Sequence, residues 1–198
     1  MPDQITVLAG GWSAGLLDLT QLPGLVIGVN DSAIHAHCDH VVSMDRLWTE
    51  HRAAHLAFCN MPAHIRAAAL KNVKPWPSLK PFECDHRSAV FSDEPGILNG
   101  TNSGLCAFNL AYQMRPKRIF LIGFDMQKGP NGAGHWFPDY PWAPGGATKQ
   151  GKYNAWAMEF HCAGGKCHAA GIEVINVGER SLIDAFPKIN SKDFGRYR

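Results

Sequence analysis

The sequence predicts an α/β fold built on a Rossmann-like, doubly wound and mostly parallel sheet, with helices on both faces and a long loop or lid near the C-terminal half. Three observations carry that expectation. Short apolar, β-branched runs recur along the chain, namely Ile5-Thr6-Val7-Leu8-Ala9, Leu25-Val26-Ile27-Gly28-Val29 and Arg118-Ile119-Phe120-Leu121-Ile122, and runs of this length and composition read as buried strands. Each stops at a turn signal, Gly10-Gly11, Asn30-Asp31-Ser32 or Gly123-Phe124-Asp125, where glycine and short polar side chains favour a change of direction. Stretches of helical composition alternate with these runs, and that alternation favours parallel over antiparallel pairing.

Taken in order, the run 5–9 is the first strand and 25–29 the second, with Asn30-Asp31-Ser32 suited to a turn and a helix N-cap. His40-Val41-Val42-Ser43 reads as a third strand closing at Met44-Asp45, and residues 46–57 have helical composition. Pro62, Pro75, Pro77 and Pro81 interrupt every period from 60 to 83. A helix over 63–70 and a proline-rich excursion at about 60–87 are expected there, serving as a lid, a small subdomain or an oligomer contact. Ser88-Ala89-Val90-Phe91 reads as a further strand, leading through Asn99-Gly100-Thr101-Asn102-Ser103-Gly104 into an apolar helix that ends near Met114. After the run 118–122, residues 126–152 carry Gly, Pro, Trp and Tyr without helical periodicity, a loop long enough to suggest a functional lid. A helix over 153–170, a last strand over 172–176 and a short helical turn over 181–186 complete the reading.

Composition bounds the function. At 198 residues and 45% hydrophobic content the chain suits one domain, residues 1–198, around one substantial core. Net charge is +2 with scattered lysines and arginines, so no basic stripe for duplex nucleic acid is visible. The start lacks the basic and long apolar regions of a secretory signal, and no apolar run reaches the ~18–20 residues of a membrane span. A cytoplasmic protein is expected, with a homo-oligomer left open. Cys38, Cys59, Cys84, Cys106, Cys162 and Cys167 are dispersed, which favours reduced structural thiols over a disulfide framework. His161, Cys162, Cys167 and His168 have the look of a zinc half-site, but no second pair completes a tetrahedral set.

Ligands of open α/β sheets bind outside the carboxyl ends of the strands, where the strand order reverses. That rule selects the turns. Gly10-Gly11-Trp12-Ser13-Ala14-Gly15 follows the first strand and is read either as an anion-binding wrap or as a tight turn. Thr101, Asn102 and Ser103 stand at a helix start, where free backbone N–H groups and the helix dipole attract phosphate; an ordinary helix cap is the competing reading. Neither loop holds the lysine of a phosphate-binding P-loop. His135, between Gly134 and Trp136 in the long loop, is a candidate general base. Asp45 and Asp125 follow strand ends and suit a metal, a ribose or an acceptor hydroxyl, or equally a helix or turn cap. Tyr140 and Tyr153 offer phenolic donors to a leaving phosphate or simple packing, and Trp136, Trp142 and Trp156 offer a platform for an acceptor or pack in the core or lid.

Thr101-Asn102-Ser103-Gly104-Leu105-Cys106-Ala107, followed by Lys117-Arg118-Ile119-Phe120-Leu121-Ile122-Gly123-Phe124-Asp125, resembles the Thr-Ser-Gly helix and the Gly-x-Asp strand end of bacterial sialyltransferases of glycosyltransferase family 42. It also resembles the 6-hydroxymethylpterin diphosphokinase-like proteins. Val7-Leu8-Ala9-Gly10-Gly11-Trp12-Ser13 is similar to the first family's Gly-x-Gly-Pro-Ser turn, with Trp12 in place of the proline, and Val29-Asn30 to its nucleotide-contacting asparagine. The resemblance implies a nucleotide site made of Gly10, Gly11, Ser13, Asn30, Thr101, Asn102, Ser103 and Gly123. It also implies a histidine base, for which His135 is the nearest candidate, although it lies closer to the strand than the family's base; Lys149 and Tyr153 occupy the expected region.

The leading expectation is a glycosyltransferase-like enzyme. It takes a nucleotide-sugar donor and a small-molecule or glycan acceptor, holds no tightly bound cofactor, and uses His135, Asp125, Tyr140 and Tyr153 as its catalytic set. The alternatives are a phosphoryl or diphosphoryl transferase using Mg²⁺ on Asp45 and Asp125, and a non-catalytic nucleotide-binding protein.

Overall fold

The computed structural model describes residues 2–88, 90–142 and 148–197. Eight strands form one sheet: β1 Gln4–Leu8, β2 Leu25–Val29, β3 His40–Ser43, β4 Ala63–Arg66, β5 Leu79–Phe82, β6 Arg118–Ile122, β7 Glu173–Val177 and β8 Lys188–Ile189. Their spatial order is β5-β4-β3-β2-β1-β6-β7-β8, and every neighbouring pair is parallel. The protein is therefore an α/β fold on an eight-stranded, all-parallel sheet. The α-helices are α1 Ser32–His35, α2 Arg46–Cys59, α3 Ser103–Gln113 and α4 Gln150–Ala169.

Parallel strands need crossovers, and the helices that make them cover the sheet. Alternate residues of β6 show the division: Ile119 and Leu121 join a core with Leu105 and Phe108 of α3 and Phe160 of α4, whereas Phe120 and Ile122 join Trp48 and Leu56 of α2. The central strands are apolar almost throughout because both of their faces are covered.

The proline-rich middle departs from expectation. Residues 63–66 form β4 and only 67–70 turn, as a 3₁₀ segment. Ala63 and Ile65 are buried while His64 and Arg66 are less so, a period of two that pairing with β3 and β5 stabilises over the helical preference of the alanines. Pro81 sits inside β5, which is tolerated because β5 is the edge strand and needs no ladder donor on its outer side. Of the strand expected at 88–91, Ser88, Val90 and Phe91 lie in no strand, and Ala89 falls outside the described residues. Phe91 is instead a core plug, packed edge-to-face on Phe108 with ring centroids 4.8 Å apart. The turn expected at 181–186 is not helical; Ser181 there accepts from Asn176 Nδ2 at 2.8 Å and donates to Phe124 O at 2.6 Å, so its hydroxyl is spent on tertiary bonds.

His40 and His64 face each other across β3 and β4, with His40 Nδ1 and His64 Nε2 3.2 Å apart. Burial first, then His40 and Lys80, push the His64 imidazole down to about 4 from its ordinary 6.5. The unfolded chain therefore binds a proton that the folded chain refuses between those values, so the stability is complete above pH 6.5 and is lost as pH falls toward 4. A loss of roughly 2–3 kcal/mol across that window is expected, read from urea midpoints against pH, and His64→Gln should flatten the slope.

Candidate functional site

The strand order runs outward from β1 in one direction and from β6 in the other, so the crevice between their carboxyl ends is the switch point of this sheet. A cavity of about 500 Å³ opens there, a size that takes a small-molecule ligand. Its floor is made by the strand-end turns, Gly10 and Gly11 after β1, Asn30 after β2, Asp45 after β3 and Gly123 with Asp125 after β6, together with Thr101, Asn102 and Ser103 at the start of α3. Its outer wall comes from the long loop and α4, through His135, Phe137, Asp139, Tyr140, Trp142, Lys152, Tyr153 and Trp156. The residues expected at the site line this cavity except Ser13, which is buried in the first turn, Trp136 and Lys149.

The first turn is not an open anion wrap. Gly11 N donates to Gly123 O at 2.8 Å, Ala14 N to Gly11 O at 3.2 Å and Ser13 N to Asp125 Oδ2 at 3.0 Å. The Gly11 and Ser13 amides fasten the turn after β1 to the turn after β6, and the Ala14 amide closes the first turn on itself. Asp125 is 3% exposed, and burial raises its carboxyl above the usual range, against the hydrogen bond from Ser13 N–H that lowers it. It is an internal brace as much as a lining group. Gly123 takes φ +71° with Ala9 O only 2.5 Å from where a Cβ would stand, so this turn requires glycine.

The entry to α3 is held differently. Asn102 caps the helix, its Oδ1 accepting from Leu105 N at 3.0 Å, which leaves Nδ2 buried without a partner. The first-turn amides of the helix have no intrahelical acceptor. Ser103 Oγ accepts from Met44 N at 3.0 Å, tying the entry to the end of β3. Thr101 Oγ1 donates to Glu159 Oε2 of α4. Behind the entry, the fully buried Asn109 accepts from Ser92 N and Asn99 N, each at 2.9 Å, and donates to Ser92 O at 2.9 Å. A polar residue in the middle of an apolar helix thus satisfies the backbone of the loop that delivers Thr101.

The long loop folds back over the first turn. Trp136 does not line the cavity; its backbone N donates to Gly10 O at 3.1 Å and its indole Nε1 to Ala9 O at 3.3 Å. This anchors His135 at the rim, where its ring stacks on Phe137 at 5.0 Å, and Phe137 stacks in turn on His35 at 5.2 Å. His135 Nδ1 is buried without a hydrogen-bond partner and lies 3.7 Å from Asp139 Oδ1, near enough for charge attraction and too far for a hydrogen bond. Tyr140 stacks on Trp142 at 5.2 Å and Trp142 on His51 of α2 at 4.2 Å. Burial, with Asp31 next in effect, pushes the Tyr140 phenol well up from its ordinary value of 10.0, so at neutral pH it is a proton donor. The expected loop boundary at 152 shortens, because α4 already begins at Gln150; residues 143–147 of the expected lid lie outside the described residues. Lys149 is exposed at the start of α4 and is not part of the lining.

Two expectations about metals meet the geometry here. Cys167 is buried while Cys162 is exposed along α4, so the zinc half-site does not converge. Asp45 and Asp125 do line one cavity, but among the described residues no three His, Cys, Asp or Glu side chains gather as a ligand set. Asp45 also caps α2, accepting from Trp48 N at 3.0 Å.

Asn109, Glu159, Asp139 and the Trp136 anchor were not singled out from sequence. A lone polar residue inside the apolar run 105–112 was the visible signal for Asn109, and the four-residue spacing from His135 was the signal for Asp139; Glu159 and the Trp136 anchor depend on contacts between segments distant in sequence. Among the described residues no helix is long and apolar enough to cross a membrane. No protein-family model, curated protein or solved structure matches the chain.

Proposed function

We propose that this is a Rossmann-like, doubly wound nucleotide-binding domain and that it works as a transferase, taking a nucleotide-sugar donor and passing the sugar to an acceptor hydroxyl. The observation that carries the reading is the placement of the capped N-terminus of α3, with the unpartnered Asn102 Nδ2 beside Ser103, in the same switch-point cavity as His135 and Tyr140. Helix N-termini attract phosphate through free N–H groups and the helix dipole. That matters here because the lining carries Asp45, Asp125 and Asp139 against Lys152, so side-chain cations alone do not neutralise a diphosphate.

In this reading the phosphates lie at Asn102 and Ser103, and neutral Tyr140, with Tyr153, donates to the departing phosphate as negative charge develops on it. His135 takes the proton from the acceptor hydroxyl, with Asp139 Oδ1 3.7 Å from its Nδ1. The aromatic wall of Phe137, Trp142 and Trp156 supplies apolar surface for a sugar or base face.

Calorimetric titration with a panel of nucleotides and nucleotide sugars tests the proposal. At least one member should bind with a stoichiometry of one. Asn102→Ala should weaken it about tenfold through the lost donor and cap. His135→Ala should lower kcat by about 10²–10⁴ while leaving nucleotide affinity in place. A panel in which nothing binds rejects the reading, and a transfer activity wholly dependent on Mg²⁺ would move it toward phosphoryl transfer with Asp45 and Asp125 as ligands.

A further inference from the structure

Hydroxyl groups on a protein have one proton each, and where that proton goes decides what the oxygen can do for a ligand. Thr101 gives its proton to the Glu159 carboxylate, and a carboxylate can only accept. Thr101 lines the cavity, and with its proton committed its Oγ1 has lone pairs alone to offer a ligand. Asn102 is committed in the opposite sense, since Leu105 N occupies Oδ1 and the buried Nδ2 is left as a donor without a partner. Ser103 Oγ receives Met44 N, which leaves its own proton for a ligand. Three consecutive residues thus present acceptor, donor, donor.

Phosphate oxygens match the two donors and cannot match Thr101, because an ionised phosphate has no proton to give. From this pattern we infer that Thr101 reads a sugar hydroxyl next to the phosphate, and that Glu159 is the positioning residue that sets its polarity. The ligand class is a phosphorylated sugar with a free hydroxyl near the ester, either the ribose of the nucleotide or the transferred sugar. The inference rests on the nucleotide-binding reading and adds to it a residue pair that selects against deoxygenated ligands. Without Glu159, the Thr101 hydroxyl can rotate and donate to a ligand oxygen as well as accept, and the selection weakens.

The test is a ratio of affinities. The full chain is titrated with matched ribo-, 2′-deoxy- and 3′-deoxynucleotides, and with nucleotide sugars deoxygenated on the transferred sugar, using whichever nucleobase the panel identifies. The wild type should favour the hydroxylated ligand by roughly 5- to 20-fold, the worth of one hydrogen bond in a polar site. Thr101→Val should bring the ratio close to one, Glu159→Leu should lower it, and Thr101→Ser should keep it at the wild-type value. A purely structural defect would weaken both ligands equally and leave the ratio intact. Discrimination among the deoxynucleotides puts the hydroxyl on the ribose; discrimination confined to the sugar-modified donors puts it on the transferred sugar. Nucleotide binding with no discrimination in the wild type, or a ratio unchanged in Glu159→Leu, overturns this inference and leaves nucleotide binding standing. Failure of every nucleotide to bind removes both.

Discussion

Asp31→Ala is expected to destabilise the protein by about 3–5 kcal/mol, the cost of stripping one partner from a buried ion pair. Asp31 is 2% exposed. Its Oδ1 accepts from Trp48 Nε1 at 2.7 Å and Arg52 Nε at 2.9 Å, and its Oδ2 from Arg52 Nη2 at 2.5 Å. Alanine would leave the indole N–H of Trp48, 2% exposed, without its acceptor, together with the half-buried guanidinium of Arg52. The damage should reach the site as well, since the Arg52 guanidinium stands 5.0 Å from the Trp142 ring centroid and Trp142 carries Tyr140. A lower urea midpoint at unchanged slope, together with weaker nucleotide binding, is the expected pair of readings. The Arg46–Glu50 pair is the control: it joins groups 60% and 26% exposed, and Glu50→Ala should cost no more than about 1 kcal/mol.

Gly11→Ala should be nearly as severe, at about 3 kcal/mol, for a different reason. Gly11 has φ −59°, which any residue accepts, so backbone strain is not the issue. A Cβ there would stand 2.4 Å from Gly123 O and 2.4 Å from Asp125 Oδ2. Gly123 O is also the acceptor of Gly11 N, so the two turns cannot separate to make room without breaking the bond that joins β1 and β6 at the cavity floor. Melting temperature should fall and nucleotide binding should be lost together. Gly165→Ala, in α4 with nothing within 4 Å of the new Cβ, should instead stabilise the protein by about 0.5–1 kcal/mol through helix propensity.

These two cases show how unevenly the chain disclosed itself. The central strands were legible because a strand buried on both faces is a continuous apolar run, and β1, β2 and β6 begin and end within a residue of where composition placed them. The α3 entry was legible through its glycines and capping side chains. The edge of the sheet was not: β4 follows a period of two through a segment rich in alanine, β5 contains Pro81, and β8 is two residues long. Pairing partners supply what such segments lack locally, and a partner is invisible until the chain folds.

Sequence alone determined that parallel strands would end in glycine- and asparagine-bearing turns, because burial and turn chemistry are local properties of composition. It also determined which side chains those turns would carry to one edge of the sheet. Only the tertiary structure decided how their hydrogen-bonding capacity is spent. The amides of Gly11 and Ser13 are consumed by Gly123 and Asp125, while Asn102 Nδ2 is left unpartnered and the Thr101 proton is drawn to Glu159, 58 residues away. A hydrogen bond has one proton to place, and whether a polar atom faces a ligand or the protein depends on neighbours that no local pattern specifies.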